Sequence, residues 1–565
     1  MDGNQERSKP SYWSRRRLLR TGVVGAAGLG AAALIGCSSS GSKSGAPASD
    51  KAPAGASSAA AGQPKRGGTI KAVYNYDVPT LDIHNAVTAG QGITVMGSVY
   101  SGLTRYSWKE PWKADADLAE SWTTPDPQQW VFKLRSGIKY HDGSEFSAKD
   151  VVYNLKAMTS AEGAKLDAAI GGLLARIGVT AEAPDANTVV IKTKDPAPYL
   201  ANILAKSDAK FMKPGVIERK AFDKEFIGTG PWKLDRFERG TGFFYSKNPN
   251  FYIPGLPYAD KLTRTLITDV PPELSAMATL QVHTIGSFPA LLPSQIATIT
   301  KQAGDKVVVS EIANGTSRVF VAADRKPFND KRVRMAAHMA IDRADVVKRS
   351  YEGALVPGIL DARDSGEYAL SKDELNALPG FRSPKDKDMT EIKALLSAAG
   401  YSGDGPAPVL IARRTSLYVE AMTVVADNLT KAGFKPNFQA VESSLGITRQ
   451  IQGDYDMGTV LPAPNADPIL TLVDLLATGA NHTAPKEDDW VKNVQDRLQS
   501  ALKNSNKAER IEAAKAVQKY VSSVDSGVFS LGGYTGFVVN AKVLKDNFAA
   551  PTTSGEAFYD AWLDQ

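Results

Sequence analysis

The chain has 565 residues, 43% of them hydrophobic and 23% charged, with a formal net charge of +6 and one cysteine. This length exceeds the roughly 250 to 300 residues at which one hydrophobic core stops growing, so at least two lobes are expected. Residues 1–36 carry six basic and two acidic side chains, and without them the net charge is +2, which excludes an electrostatic nucleic-acid binder. A lone cysteine excludes internal disulfides, so core size must stabilise the fold.

The N-terminus reads as an export signal. Ser14-Arg15-Arg16-Arg17-Leu18-Leu19-Arg20 is followed by an uncharged stretch from Thr21 to Ile35 and then Gly36-Cys37, the order of basic region, apolar region, small residue and cysteine. The apolar stretch is shorter than the ~20 residues of a spanning helix, so cleavage is expected rather than spanning. The segment resembles a bacterial lipoprotein signal of the twin-arginine type. Residues 14–20 match S-R-R-x-F-L-K with Leu for Phe and Arg for Lys, and Leu34-Ile35-Gly36-Cys37 matches the lipobox. That resemblance implies removal of residues 1–36 and lipidation of Cys37, which would hold the protein on a membrane surface. Residues 37–66 are rich in Ser, Gly, Ala, Pro and Lys and read as a flexible tether.

Folded sequence is expected from Gly67. Thr69 to Tyr74 alternates like a strand. Trp130 to Arg135 and Ile138 to Tyr140 read as two further strands around the turn Ser136-Gly137, with Asp142-Gly143 as the next turn. Ser147 and Asp150 have the spacing of a capping box, and Val151, Val152, Leu155 and Met158 give the following helix an apolar face. Thr188 to Thr193 predicts another strand. Further on, Pro408 to Ala412 and Asn437 to Val441 predict strands on either side of a helix from Leu417 to Ala432, stopped by Gly433. This β-α-β order implies parallel strands. A strand at Asp456 to Leu461 and helices at Glu487 to Lys503 and Lys507 to Val521 complete a mixed α/β pattern.

Motifs in one consistent order carry a family resemblance. Leu118-Ala119-Glu120-Ser121-Trp122, Phe132 through Gly143, and Ser147-Ala148-Lys149-Asp150-Val151-Val152 come first. Gly228-Thr229-Gly230-Pro231-Trp232, Asn248-Pro249-x-Phe251-Tyr252 and Leu256-Pro257-Tyr258-Ala259-Asp260 follow. Pro327-Phe328-Asn329-Asp330, Ala340-Ile341-Asp342-Arg343, Leu395-Leu396-x-Ala398-Ala399-Gly400-Tyr401 and Asp454-Tyr455-Asp456-Met457 come later. From Gly67 to the C-terminus the chain resembles the family 5 extracellular solute-binding proteins, the peptide, dipeptide and nickel receptors of ABC importers. Most of these motifs also have a structural reading. Gly228 and Gly230 suit a turn, Asp330 and Asp342 suit helix caps, the latter with Asp345, and His141-Asp142 suits a turn better than a metal pair.

The resemblance implies a two-lobed, periplasmic-binding-protein-like α/β fold of the type II, three-segment cluster C kind, with a hinge between the lobes. Domain I is expected at 67–112, 222–317 and 531–565, domain II at 113–221 and domain III at 318–530. It also implies a monomer that captures a small, peptide-like or other polar organic solute. Partners would be ABC permease and ATPase subunits and, through the lipid, the membrane; no cofactor or metal is expected.

Ligand positions follow from strand ends. In α/β sheets ligands sit beyond the carboxyl ends of strands, which selects Arg413, Arg414 and Thr415 after one strand and Glu442 and Ser443 after the next. Asn75, Tyr76 and Asp77 occupy the stretch that lines the cleft in relatives. In the segment Leu461 to Pro468, Asn465 and Asp467 are further candidates. Peptide-binding relatives carry there an Asp that pairs with the peptide ammonium, and Pro464 holds that position in this chain. A buried ammonium without a carboxylate is costly, which places free-amine peptides in question. Relatives also usually carry Gly-Glu-x-Asp near Leu280 to Gly286, and Pro after Asp82.

A lipid-anchored hydrolase is the competing class. The chain has no G-x-S-x-G, H-E-x-x-H or Walker A motif, and the S-x-x-K match at Ser40 to Lys43 lies in the tether. A sensor or chaperone on the same fold is a third class, since fold does not fix function.

Overall fold

The computed structural model describes residues 63–565 except 76–77, 79–80, 85–94, 108–112, 161–169, 286–290, 406, 415, 461–466, 477–484, 547–557 and 565. The expected export signal, Cys37 and most of the expected tether lie outside these residues.

Strand β1 (Thr69–Tyr74) forms where the alternation predicts it, with Ile70, Ala72 and Tyr74 buried. A separate four-stranded antiparallel sheet contains β2 (Ala119–Asp126), β3 (Gln129–Leu134), β4 (Thr180–Asp185) and β5 (Thr188–Lys192), in the order β2-β3-β5-β4. Helix α1 (Ala148–Met158) follows Ser147, whose N–H donates to the Asp150 carboxylate at 2.7 Å as the capping box requires. The predicted strand at Ile138 to Tyr140 is reduced to one bridge, Lys139 to Glu145, because no longer strand runs beside it.

The large sheet has eleven strands. Its first members are β1, β6 (Trp232–Glu238), β7 (Gly242–Lys247), β8 (Lys261–Leu266), β9 (Thr284–Ile285) and β10 (Val307–Val321). Then come β11 (Leu355–Val356), β12 (Val409–Arg413), β13 (Asn437–Val441), β14 (Met457–Val460) and β15 (Val528–Ala541). The order is β13-β12-β14-β10-β15-β9-β1-β8-β7-β6, with β11 on β15. Strands β12 and β13 are parallel, as the β-α-β pattern predicts, and helix α3 (Ser416–Lys431) connects them.

The long antiparallel pair β10 and β15 runs through both halves of this sheet. Its register extends from Val307 opposite Ala541 to Phe320 opposite Val528, with shifts between Ala313 and Thr316 and between Ser317 and Arg318. Such shifts are bulges, which kink a strand and raise its twist. On the opposing strand Gly532 has φ +150°, and a Cβ there would lie 2.3 Å from the Val356 carbonyl oxygen. Only glycine fits so close an approach.

One core packs Phe132, Val189 and Ile191 of the four-stranded sheet with Trp490, Leu498, Val517 and Val521 from the C-terminal helices. A second surrounds Val319, Met335, Met422, Met457 and Phe529, and a third surrounds Ile70, Tyr74, Trp232, Phe243 and Leu262. Arg334, fully buried on helix α2 (Lys331–Ala340), donates to both oxygens of buried Asp525 at 2.9 and 2.7 Å and to Glu487 at 2.8 Å.

Several expectations change in detail. Gly228 and Gly230 are not placed by left-handed backbone; a Cβ at Gly228 would lie 2.2 Å from the Val99 carbonyl oxygen, so close chain approach is what demands glycine. Asp330 caps α2 through the Arg332 N–H, and Asp342 caps the helix at 343–350. The reciprocal bond expected at Asp345 is absent, because the Asp342 N–H donates instead to Asn428 at 2.8 Å. The helix predicted from Glu487 to Lys503 contains a π-helical stretch at Val491–Asp496.

Candidate functional site

Strand directions place the site. Strands β1 and β8 run with β10, whereas β12, β13 and β14 run against it. The carboxyl ends of strands from the two halves therefore face each other across the middle of the β10–β15 pair. On β10 the stretch between them covers residues 310–317, a span on the order of 20 Å at about 3.3 Å per residue. A crevice beyond strand carboxyl ends is where α/β sheets bind ligands.

From one side, Asn75 follows β1. Its side-chain amide donates to the Glu273 carboxylate at 2.9 Å and to the Ile267 carbonyl at 3.4 Å.

From the other side come the residues that follow β12 and β13. The Arg414 N–H donates to the Val441 carbonyl at 2.7 Å, which ties the two loops together, and the Arg414 side chain is exposed. Glu442 is exposed as well, and its carboxylate accepts the Leu445 N–H at 3.1 Å at the start of α4 (Ser443–Gln452). Arg413 is half-buried. One of its terminal nitrogens donates to the Tyr418 hydroxyl at 2.8 Å, and the guanidinium lies 4.7 Å from the centre of that ring. Helix α4 presses on its stem, since a Cβ at Gly446 would lie 2.7 Å from Arg413 Cγ.

Asp467 has a different place. It is 8% exposed and caps α5 (Pro468–Leu476), its Oδ1 accepting the Ile469 N–H at 2.8 Å and the Leu470 N–H at 3.2 Å. Its Oδ2 accepts from Arg510. Both oxygens are thus engaged, and Asp467-Pro468 opens a helix. Tyr76, Asp77, Thr415 and Asn465 lie outside the described residues, as does Pro464. The structure brings Arg413, Arg414 and Glu442 together at one sheet edge, with Asn75 on the facing edge.

Arg318, on β10, was not selected by the sequence pattern. It is 4% exposed, sits opposite Val460 at the carboxyl end of β14, and donates to the Asp474 main-chain carbonyl at 3.0 Å. Its Nε has no hydrogen-bond partner among the described residues. Burial pulls its pKa down to about 10, against the attraction of Asp474, so it stays charged at neutral pH. The signal in the sequence is a cation inside the otherwise apolar run Arg318-Val319-Phe320-Val321, which reads as an exposed position until the neighbouring strands are known.

The His141 imidazole meets the Gly230 carbonyl at 3.0 Å, and burial lowers its pKa. Among the described residues no group of three or more His, Cys, Asp or Glu could hold a metal ion.

Residues 113–483 match the model of the bacterial extracellular solute-binding proteins, family 5. The glutathione-binding protein GsiB of Escherichia coli K12 is 26% identical over 457 residues, covering 78% of this chain and 84% of that protein. Among solved structures, the Escherichia coli murein tripeptide binding protein MppA superposes with a TM-score of 0.76 at 18% identity, covering 88% of this chain and 98% of the other. AgaA of A. tumefaciens R10, solved in complex with agropinic acid, gives a TM-score of 0.75 at 21% identity, covering 88% and 99%. These neighbours share the two-lobed α/β binding-protein fold that the sequence motifs imply.

Proposed function

The chain belongs to the bacterial extracellular solute-binding proteins of family 5, and from that premise we propose that it captures a peptide-like solute between two lobes for an ABC importer. The observation that carries this reading is the meeting of strand carboxyl ends from both halves of the sheet across the bulged middle of β10 and β15. The division into domain I (67–112, 222–317, 531–565), domain II (113–221) and domain III (318–530) is part of the proposal. Its boundaries at 317 and 530 fall within the two crossing strands, where bulges permit bending. Closure would be a population shift toward a state that gains contacts from both lobes, and the permease and its ATPase would receive that state. No covalent step is required.

The twin-arginine-like signal and Cys37 support export and lipid anchoring, with the tether to residue 66 letting the binding unit reach its permease. Pro464, standing where peptide-binding relatives carry an acid, favours a second solute class: an amino-acid conjugate or another polar organic solute, an oligosaccharide included, without a free ammonium to be paired.

A thermal-shift screen over peptides, glutathione, sugars, amino-acid conjugates and Ni²⁺ tests the reading. A receptor is stabilised by its solute in proportion to RT ln(1 + [L]/Kd). Stabilisation by one class is expected; no stabilisation together with turnover of a chromogenic ester or peptide would replace the receptor by a hydrolase.

A further inference from the structure

Two guanidinium groups share one face of the sheet at its carboxyl edge. Arg318 and Phe320 point to the same side, Phe320 pairs with Gly458, Gly458 pairs with Ile411, and Ile411 and Arg413 point to the same side. Arg318 and Arg413 thus flank β14 on a common face, about 10 Å apart at the backbone from two strand spacings. The adjacent row on that face is apolar: Phe320 and Ile411 cluster with Tyr455, and the Phe320 and Tyr455 rings meet edge to face at 4.8 Å.

Among the described residues neither arginine has a carboxylate hydrogen-bond partner. Arg318 donates to one main-chain carbonyl, and Arg413 donates to one phenol. Each keeps a buried Nε without a partner. The acid acting on Arg318 is Asp474, through the field and its main-chain oxygen rather than an ion pair. Arg413 has another cation, Arg414, as its neighbour. Buried cations are ordinarily paired, and an Arg–carboxylate pair is the strong, planar form of that pairing.

Building on the receptor reading, we propose that Arg318 and Arg413 form the anchor for a free carboxylate of the solute, Arg318 as the principal donor and Arg413 as the second arm. The bound solute is then an organic acid or a peptide-like acid recognised through its carboxylate end. This arrangement suits a chain with Pro464 where relatives carry the acid for an ammonium: the charge used for recognition is the solute's negative one.

The test is calorimetric titration of the full chain, purified in detergent, with glutathione and peptides of two to five residues, each as the free acid and with its carboxylates amidated or esterified. The wild type is expected to bind a free acid about tenfold or more tightly than its blocked form, the size of one charged hydrogen bond. Arg318→Gln is expected to weaken the free acid about tenfold and erase the preference, Arg413→Gln to act in the same direction by less, and Lys149→Ala to change nothing. Equal affinity for acid and blocked forms, or a preference that survives Arg318→Gln, overturns the carboxylate anchor and leaves solute capture standing. Failure of every compound to bind removes both. If Arg318→Gln does not fold, the wild-type comparison and Arg413→Gln decide.

Discussion

Lys503 pairs with Asp195 at 3.0 Å, joining the C-terminal helical layer to the loop after β5. In the proposed domain division this ion pair bridges domains III and II, beside the core that packs residues of both segments together. Both side chains are substantially exposed, so the pair contributes about 0.2–1 kcal/mol. Lys503→Ala is therefore expected to shift the population toward open forms modestly and weaken solute binding by less than about fivefold. Small-angle scattering with and without solute checks this; an unchanged radius of gyration and affinity would show that the pair has no part in closure.

Asp525→Ala should act far more strongly. It leaves the Arg334 guanidinium buried, with Glu487 and the Phe328 carbonyl as its remaining partners, and breaking a buried pair from one side costs about 3–5 kcal/mol. Denaturant unfolding should show that loss, while the double change Arg334→Met with Asp525→Leu should recover much of it.

Gly228→Ala tests the close approach. The new methyl would collide with the Val99 carbonyl, and overpacking of this kind costs about 1–3 kcal/mol. A melting temperature unchanged from wild type would mean that the 97–100 segment moves aside freely.

Acid should weaken the fold from near neutrality. His84, His141, His283 and His338 all have pKa values lowered by burial, His338 furthest, with Arg343 and Lys385 adding to its shift. The unfolded chain then takes up protons below about pH 6.5 that the folded chain refuses, so stability falls as pH drops through that range. Each such histidine can contribute up to about 1.4 kcal/mol per pH unit. Unfolding free energies at pH 7.5, 6 and 5 should decline, and His338→Gln should flatten the slope.

Cys37→Ser should release the exported protein from the membrane fraction into the soluble one, with intact mass showing loss of acyl chains. Equal partition of the two forms would remove the lipid anchor from the proposal.

The sequence was most legible where structure is local. The alternation at Thr69–Tyr74, the Ser147-Asp150 box and the strand-helix-strand unit of β12, α3 and β13 all depend on neighbours within a few residues. Ile138 to Tyr140 has the strand composition, and its pairing is limited to the single bridge from Lys139 to Glu145. The π-helical stretch at Val491–Asp496 depends on packing of Trp490 and Val494 in a core built from distant segments. Within the site, the edge after β12 and β13 followed from strand order. The capping role of Asp467 and its bond from Arg510 are not legible because Arg510 lies in another helix, and the burial of Arg318 is not legible because a cation in a strand looks exposed until the neighbouring strands are known.

The course of β10 and β15 has a consequence for how the molecule comes apart. Strand β15 pairs with β9 near one end and with β11 near its middle, while β10 pairs with β14 at one end and with β15 along its length, so neither half possesses a complete set of paired edges by itself. Melting either half strips partners from the other, and heat should produce one cooperative transition rather than two separable ones. The backbone proposed to bend around a solute would then bind the fate of the two halves together during unfolding.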